Sequence, residues 1–163
     1  MGLYFSHIDT LVGMAAAAVD DDGALLEFTF LNGEMSNHLS RPDQAEHAPQ
    51  KLEHVARQVH EFFDRKRTDF TLDLKPQGTP FQQKVWRALC DIPFGETWSY
   101  QRIAVATGDI KATQAVGAAN GKNPIALIIP CHRVIGKNGT LTGYGGGLPL
   151  KQKLLDFETP LLF

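Results

Sequence analysis

The chain has 163 residues, of which 43% are hydrophobic and 21% charged, with a formal net charge of −2. That composition excludes a disordered chain, and no apolar run approaches the ~20 residues that a membrane-spanning helix needs. Two cysteines, and no basic start followed by an apolar block, favour free thiols in a reducing cytoplasm (or nucleus) over an exported disulfide scaffold.

The small net charge hides an asymmetry. Residues 1–75 hold 7 Lys/Arg against 13 Asp/Glu, and residues 76–163 hold 9 against 5, so the halves carry −6 and +4. A basic half joined to an acidic one suggests that the C-terminal part meets a polyanion.

In chain order, the first ~35 residues read as strands. Met14 to Val19 and Leu25 to Leu31 flank the turn cluster Asp20-Asp21-Asp22-Gly23, which suggests a hairpin. Ser40 to Gln50, with Pro42 and Pro49, reads as a loop. Leu52, Val55, Val59, Phe62 and Phe63 then recur at helical spacing, so Gln50 to Lys66 is expected to be an amphipathic helix. His7, His38, His47, His54 and His60 show no close pairing with one another or with a cysteine, so no metal site is expected.

Lys75 to Pro80 reads as a linker, dividing a 1–75 unit from a 76–163 unit. Phe81, Val85, Trp86, Leu89 and Cys90 mark one helix face, and Cys90 is expected to be packed inside it. Ser99 can cap a helix from Tyr100 to Thr107 that Gly108 ends, and a second helix is expected from Lys111 to Asn120. This is the outline of a helix-turn-helix. The second helix is nearly bare, with Ala112, Ala115, Gly117, Ala118 and Ala119 permitting close approach of a neighbouring element or a narrow groove.

The most informative segment follows. An apolar run, Ile125 to Ile129, reads as a buried strand or extended segment that ends in Pro130-Cys131-His132-Arg133. A cysteine is nucleophilic as its thiolate, which a neighbouring base supplies near neutral pH. Pro130 fixes its own φ and biases Ile129 toward an extended shape, so the thiol is rigidly placed. A glycine-dense loop around Tyr144 comes next, without the lysine of a phosphate-binding loop. Leu150, Lys153, Leu154 and Phe157 suggest a last helix carrying Glu158 near its end.

Together these residues resemble the O6-alkylguanine-DNA alkyltransferase family over about half the chain, Phe81 to Glu158. The matching pieces are Ser99-Tyr100, Asn123-Pro124, Ile129 to Ile135, Tyr144 to Gly147, and Lys151 to Glu158. The resemblance implies an α/β (α+β) protein. A small sheet-plus-helix domain would serve as support, joined to a mainly helical domain that binds DNA and transfers the alkyl group. It further implies an irreversible, single-turnover transfer from guanine O6 to Cys131, after the base is flipped out of the duplex.

The family's roles fall on this chain as follows. His132 would take the thiol proton through a water, with Glu158 orienting its imidazole. Tyr100 would donate a proton to the departing base and rotate the 3′ phosphate. Asn123 would hold the turn that carries the thiol, and Arg133, grouped with the binding residues, would form a structural ion pair. Backbone groups at Cys131, Val134 and Gly145, beside Tyr144, would read the guanine edge. The second helix would enter the minor groove, so Gln101, Lys111, Gln114 and Ala115 are the expected DNA contacts, with Ala118 and Ala119 on the bare face. Many relatives carry an intercalating arginine where this chain has Gln114.

The expected partner is double-stranded DNA carrying O6-alkylguanine, with O4-alkylthymine as a second candidate lesion. No cofactor, no metal and no membrane are expected, and the protein should be a monomer. Two readings without transfer stand beside this one: a binder of alkylation damage, against which Cys131 argues, and a helix-turn-helix regulator. A cysteine hydrolase would place its nucleophile at a helix start and its histidine far away in sequence, unlike the adjacent Cys131-His132.

Overall fold

Residues 15 to 19 of the second strand are buried one after another, which requires cover on both faces of a sheet. Four alanines and a valine meet that demand with little volume. The computed structural model describes residues 2–31, 39–139, 144 and 147–159. Its four-stranded sheet has the order β3-β2-β1-β4, formed by β1 (Leu3–Thr10), β2 (Gly13–Asp20), β3 (Leu25–Phe30) and β4 (Glu46–His47). The β1–β2 and β2–β3 pairs are antiparallel, whereas β4 adds in parallel to β1.

The β2–β3 hairpin lies where the turn cluster predicts it. Asp20 Oδ1 accepts the N–H groups of Asp22 and Ala24, and Gly23 takes a positive φ of 83°. Ala16 and Ala18 pack with Leu39 on one face, joined by Leu3, Phe5 and Leu31. Helix α1 (Glu53–Phe63) packs on β1 and buries Val55, Val59 and Phe62, the stripe read from the sequence. Its first turn is a separate 3-10 helix, Pro49–Leu52.

The chain divides into two compact units, one of residues 1–77 with 124–128, the other of 78–123 with 129–163. A cut at residue 75 or 76 therefore omits one feature: residues 124–128 belong to the first unit. There the β3 edge is paired twice. Leu25 exchanges backbone bonds with residues 73 and 75, and Phe28 does so with Pro124 and Ala126. Both segments saturate an edge that would otherwise present unpaired amides.

The apolar run at 125–129 is therefore not a strand. After its single bridge to Phe28, Leu127 adopts a φ of 70° and Ile128 N–H bonds the Ala126 carbonyl, a tight γ-turn. Burial, not alternation, explains the run: Ile125, Leu127, Ile128 and Ile129 are all buried.

The second unit is mainly helical. Helix α2 (Pro80–Leu89) opens with a complete capping box. Thr79 Oγ1 accepts from Gln82 N–H, and Gln82 Oε1 accepts from Thr79 N–H. Cys90 lies one residue past the helix and is exposed, contrary to the packing expected for it. The buried stripe is Val85, Trp86, Ala88 and Leu89, and one further residue turns ~100° away from it.

A two-residue parallel ladder joins β5 (Trp98–Ser99) to β6 (Val134–Ile135). Ser99 caps α3 (Tyr100–Thr107) by accepting Arg102 N–H, and Gly108 ends it at a φ of 100°. A 3-10 turn, Ile110–Ala112, capped by Asp109, leads into α4 (Thr113–Gly121), completing the helix-turn-helix. Helix α5 (Leu148–Glu158) closes the unit. Among the described residues, no helix is long and apolar enough to cross a membrane.

The reciprocal cap at Thr79 has a measurable weight. Thr79→Ala should lower unfolding stability by about 1 kcal/mol, read from the urea midpoint. An unchanged midpoint would assign the start of α2 to Pro80 alone.

Candidate active site

Cys131 opens a single 3-10 turn, Cys131–Arg133, and its residue is 5% exposed. Backbone bonds fix the turn on both sides. Cys131 N–H donates to the Ile129 carbonyl at 2.7 Å across Pro130, Arg133 N–H donates to the Pro130 carbonyl, and Val134 N–H donates to the Cys131 carbonyl. Side chains from the end of α4 and just past it reinforce it. Asn123 Nδ2 donates to the Ile129 carbonyl at 2.8 Å, and Asn120 Nδ2 lies 3.5 Å from the Cys131 carbonyl. The thiol is thus held by its peptide framework before any charge acts on it.

The base beside it has a defined orientation. His132 is fully buried, and its Nε2 lies 2.8 Å from Glu158 Oε2. A carboxylate only accepts, so Nε2 carries the proton and Nδ1 is left with its lone pair. Nδ1 is buried and forms no hydrogen bond with a described residue. Arg133 grips the same carboxylate, with Nε 2.7 Å from Oε1 and Nη2 2.8 Å from Oε2, while Nη1 donates to the Ile92 carbonyl. Grouping Arg133 with the ligand-binding residues is therefore corrected: its guanidinium is buried and spent on Glu158 and Ile92. The ion pair read beside that grouping is the arrangement found.

Burial pushes the Cys131 thiol up, against a hydrogen bond from Asn123 and the charge of Lys151. Burial likewise holds His132 below its ordinary value, outweighing the pull of Glu158 in the other direction. The resting pair is accordingly a thiol beside a neutral imidazole that can accept its proton. For Glu158, burial alone would raise the carboxyl, but the bonds from His132 and Arg133 overcome it and hold the group at about 2.

The remaining expected residues sort by burial. Tyr100, the first residue of α3, is half-buried, and its ring lies over Gly117 of α4, where a Cβ would approach it to 3.9 Å. Gln101, Lys111, Gln114, Ala115 and Ala118 are exposed on the helix-turn-helix. Ala119 is not, since its carbonyl accepts Trp86 Nε1–H at 2.9 Å in the interior, so the bare face is narrower than expected. Val134 is buried behind the thiol turn. The Tyr144 hydroxyl is buried without a hydrogen bond to a described residue, and burial, then the charges of Cys131 and Glu158, raise its pKa well above the ordinary value. Gly145, with Gly143 and Gly146, falls outside the described residues.

Two residues at the site escaped the sequence reading. Asn120 is one. Lys151 is the other: it is 0% exposed and donates to the Val134 carbonyl at 2.6 Å. The signal for Lys151 was present, since 151, 154 and 158 share one helix face, whereas Lys153, placed on the stripe, is exposed.

The depressed Glu158 pKa links the site to stability. Its contribution is fully present above the ordinary carboxyl value near 4.5 and is lost as pH falls toward about 2. His132, lowered by burial, adds a loss in the same direction as pH drops below its ordinary 6.5. Glu158→Gln should therefore weaken the fold at neutral pH by about 3–5 kcal/mol, because it strands a buried arginine charge. It should also flatten the acid limb between pH 4.5 and 2 in denaturant titrations. Parental acid sensitivity in that variant would remove Glu158 from this role.

Comparison with known proteins finds relatives along nearly the whole chain. The family model for the DNA-binding domain of 6-O-methylguanine DNA methyltransferase matches residues 80–160. A methylated-DNA–protein-cysteine methyltransferase of Methanosarcina barkeri is 44% identical over 96% of this chain and 97% of its own. The crystal structure of Mycobacterium tuberculosis O6-methylguanine methyltransferase superposes with a TM-score of 0.87 at 40% identity, covering 96% of this chain and 92% of that one. The same organism's OGT, solved in complex with DNA, gives 0.86 at 39% identity over 95% and 92%. A chain this similar to these proteins along nearly its whole length, with a buried Cys131 followed by a His132 bonded to Glu158, is a member of the methylated-DNA–protein-cysteine methyltransferase family.

Proposed function

We propose that this protein repairs DNA by moving the alkyl group of O6-alkylguanine onto its own Cys131, once per molecule. The single observation that carries the reading is the fixed tautomer of His132. Glu158 holds the proton on Nε2, which leaves a lone pair on the buried Nδ1 of a neutral imidazole in the residue next to a buried thiol. In the step, the thiol proton passes through a water to Nδ1 of His132 and the sulfur attacks the alkyl carbon. A carbon–sulfur bond forms as the carbon–O6 bond breaks, and the electron pair leaves with guanine. Glu158 then faces an imidazolium, and the charge pair is stabilised inside a low-dielectric site.

The departing guanine is a poor anion, and Tyr100 is the proposed proton donor to it. Its place at the start of α3, against Gly117 of α4, supports a position beside an extruded nucleotide. A thioether is not cleaved by water, so the acceptor is consumed. This reading treats residues 76–163 as the DNA-binding and transfer part, and the sheet unit as its support.

The exposed row Lys111, Gln114, Ala115 and Ala118 on α4 and the turn before it supports docking of that helix into a narrow groove, with phosphate contacts supplying most of the affinity. A base within a duplex must leave the stack, at a cost of a few kcal/mol. Gln114 is the proposed occupant of the gap, hydrogen-bonding the orphaned cytosine without adding charge.

Two experiments test the proposal. Titrating the protein with a duplex holding one O6-methylguanine should stop at about one methyl per chain, with mass spectrometry locating it on Cys131, and Cys131→Ser should transfer none. Repeated turnover, or repair by the serine variant, would overturn the reading. Gln114→Arg should raise the repair rate on duplex DNA while leaving the rate on free O6-alkylguanine near the parent's. Equal duplex rates would remove Gln114 from the groove.

A further inference from the structure

Helix α3 carries one residue that its local structure disfavours. Ser99 caps the helix by accepting the Arg102 N–H at 3.1 Å, which is half of a capping box. The other half needs a side-chain acceptor at residue 102, the part that Gln82 Oε1 plays for Thr79 at the start of α2. A guanidinium only donates, so it cannot close the box. A cation in the first turn also opposes the helix dipole. Arg102 is nonetheless the one charged residue of α3.

What holds its side chain is an aromatic ring. Arg102 is exposed, and its guanidinium carbon lies 4.0 Å from the centroid of the Trp98 ring. Contact with a ring face engages the charge but uses none of the five N–H donors. Among the described residues, no carboxylate pairs with it. The Trp98 Nε1–H is covered from solvent and likewise makes no hydrogen bond with a described residue. Two touching side chains thus carry donors that the described protein leaves without acceptors, the complement of an anionic oxygen. The brace is itself fixed: Trp98 pairs with Val134 in the β5–β6 ladder, and Val134 N–H donates to the Cys131 carbonyl. Gln101, Val105 and Ala106 are exposed on α3 with Arg102 and add no charge.

We propose that Arg102, braced on the Trp98 indole, is a positioning residue that grips a DNA backbone phosphate. In a helix-turn-helix the first helix crosses the backbone while the second lies in the groove, so a contact from α3 fixes register and carries no base information. Stacking on the indole holds the long side chain in place before DNA arrives, which lowers the entropy lost on binding. The proposal rests on the alkyl-transfer reading and adds to it an anchor on α3, separate from the residues of α4. Through the ladder, that anchor is tied to the same peptide groups that hold the thiol.

The test reads the salt dependence of binding. A full-length Cys131→Ser protein, which leaves the lesion in place, is titrated onto a duplex holding one O6-methylguanine between 50 and ~200 mM salt. Arg102→Gln, Arg102→Lys, Trp98→Leu and Arg57→Gln are compared in that background. Arg102→Gln should weaken binding about tenfold at ~0.1 M salt and lower the slope of log K against log salt by about one. The same loss should appear on an undamaged duplex, because a phosphate contact is blind to the base. Arg102→Lys and Trp98→Leu keep a cation at 102 and should hold the parental slope, with Trp98→Leu weaker in affinity for want of its brace. Arg57→Gln, on α1 of the sheet unit, should leave the slope unchanged. With Cys131 restored, Arg102→Gln should transfer from free O6-methylguanine at the parental rate.

A parental slope in Arg102→Gln overturns the proposal. So does an equal drop in Arg57→Gln, which would assign the effect to net charge and not to a contact. Stability separates binding from folding, because glutamine at 102 can close the capping box with Ser99. The urea midpoint of Arg102→Gln should therefore match or exceed the parent's while its binding weakens. A lower midpoint would make Arg102 a structural residue and overturn its role on DNA. If the protein with its native Cys131 binds the duplex but transfers no methyl group, the alkyl-transfer reading falls, while the slopes still decide the role of Arg102.

Discussion

One carboxylate organises the second unit. Glu158 accepts three hydrogen bonds, two from Arg133 and one from His132, at the last residue of α5. A negative charge there opposes the helix dipole and is buried besides, so the site is stable only because the partners are fixed and complete. Each partner depends on it differently. Arg133 would be a stranded charge without it, and His132 would lose the bond that decides which ring nitrogen carries the proton. The Ile92 carbonyl then completes the arginine fork and ties the segment after α2 into the same cluster. A single acidic side chain thus joins the end of one helix, the thiol turn and the approach to the helix-turn-helix.

Helix α4 has two ends with different duties. Its first turns expose Gln114, Ala115 and Ala118, whereas its last residues and the segment just past them are bound to the interior: Trp86 bonds the Ala119 carbonyl, and Asn120 and Asn123 reach the peptide groups around Cys131. Both lie within one helix of nine residues, about 13 Å along the axis. A displacement of the helix is therefore felt at the thiol turn through amide hydrogen bonds, with no flexible linker between. In the alkyl-transfer reading, docking on DNA and presenting the nucleophile are two consequences of one helix position.

Much of this was legible in the sequence because local chemistry and tertiary structure agree. The Asp20 to Gly23 turn, the α1 stripe, the Ser99 cap and the Gly108 stop each work through bonds within a few residues. Cys131, His132 and Glu158 were marked by residue type and by family spacing. What escaped depends on three-dimensional neighbours. Five consecutive apolar residues at 125–129 satisfy a strand and a buried turn equally, and only the β3 edge and the positive φ of Leu127 decide between them. Cys90 fails the stripe by one residue at a helix end, where boundaries are least certain. Lys151 was hidden by its charge, since a lysine is expected in water unless the fold shows otherwise.

The brief return of residues 124–128 to the first unit bears on how the protein can be divided. Three of those five side chains, Ile125, Leu127 and Ile128, are buried in the unit that the linear chain left some fifty residues earlier. A polypeptide severed after residue 77 would carry away the sheet while leaving this apolar patch on the other fragment, exposed to water and prone to self-association. It would also strip the β3 edge of half its cover. The two units are separable as clusters of contacts, but not as lengths of chain.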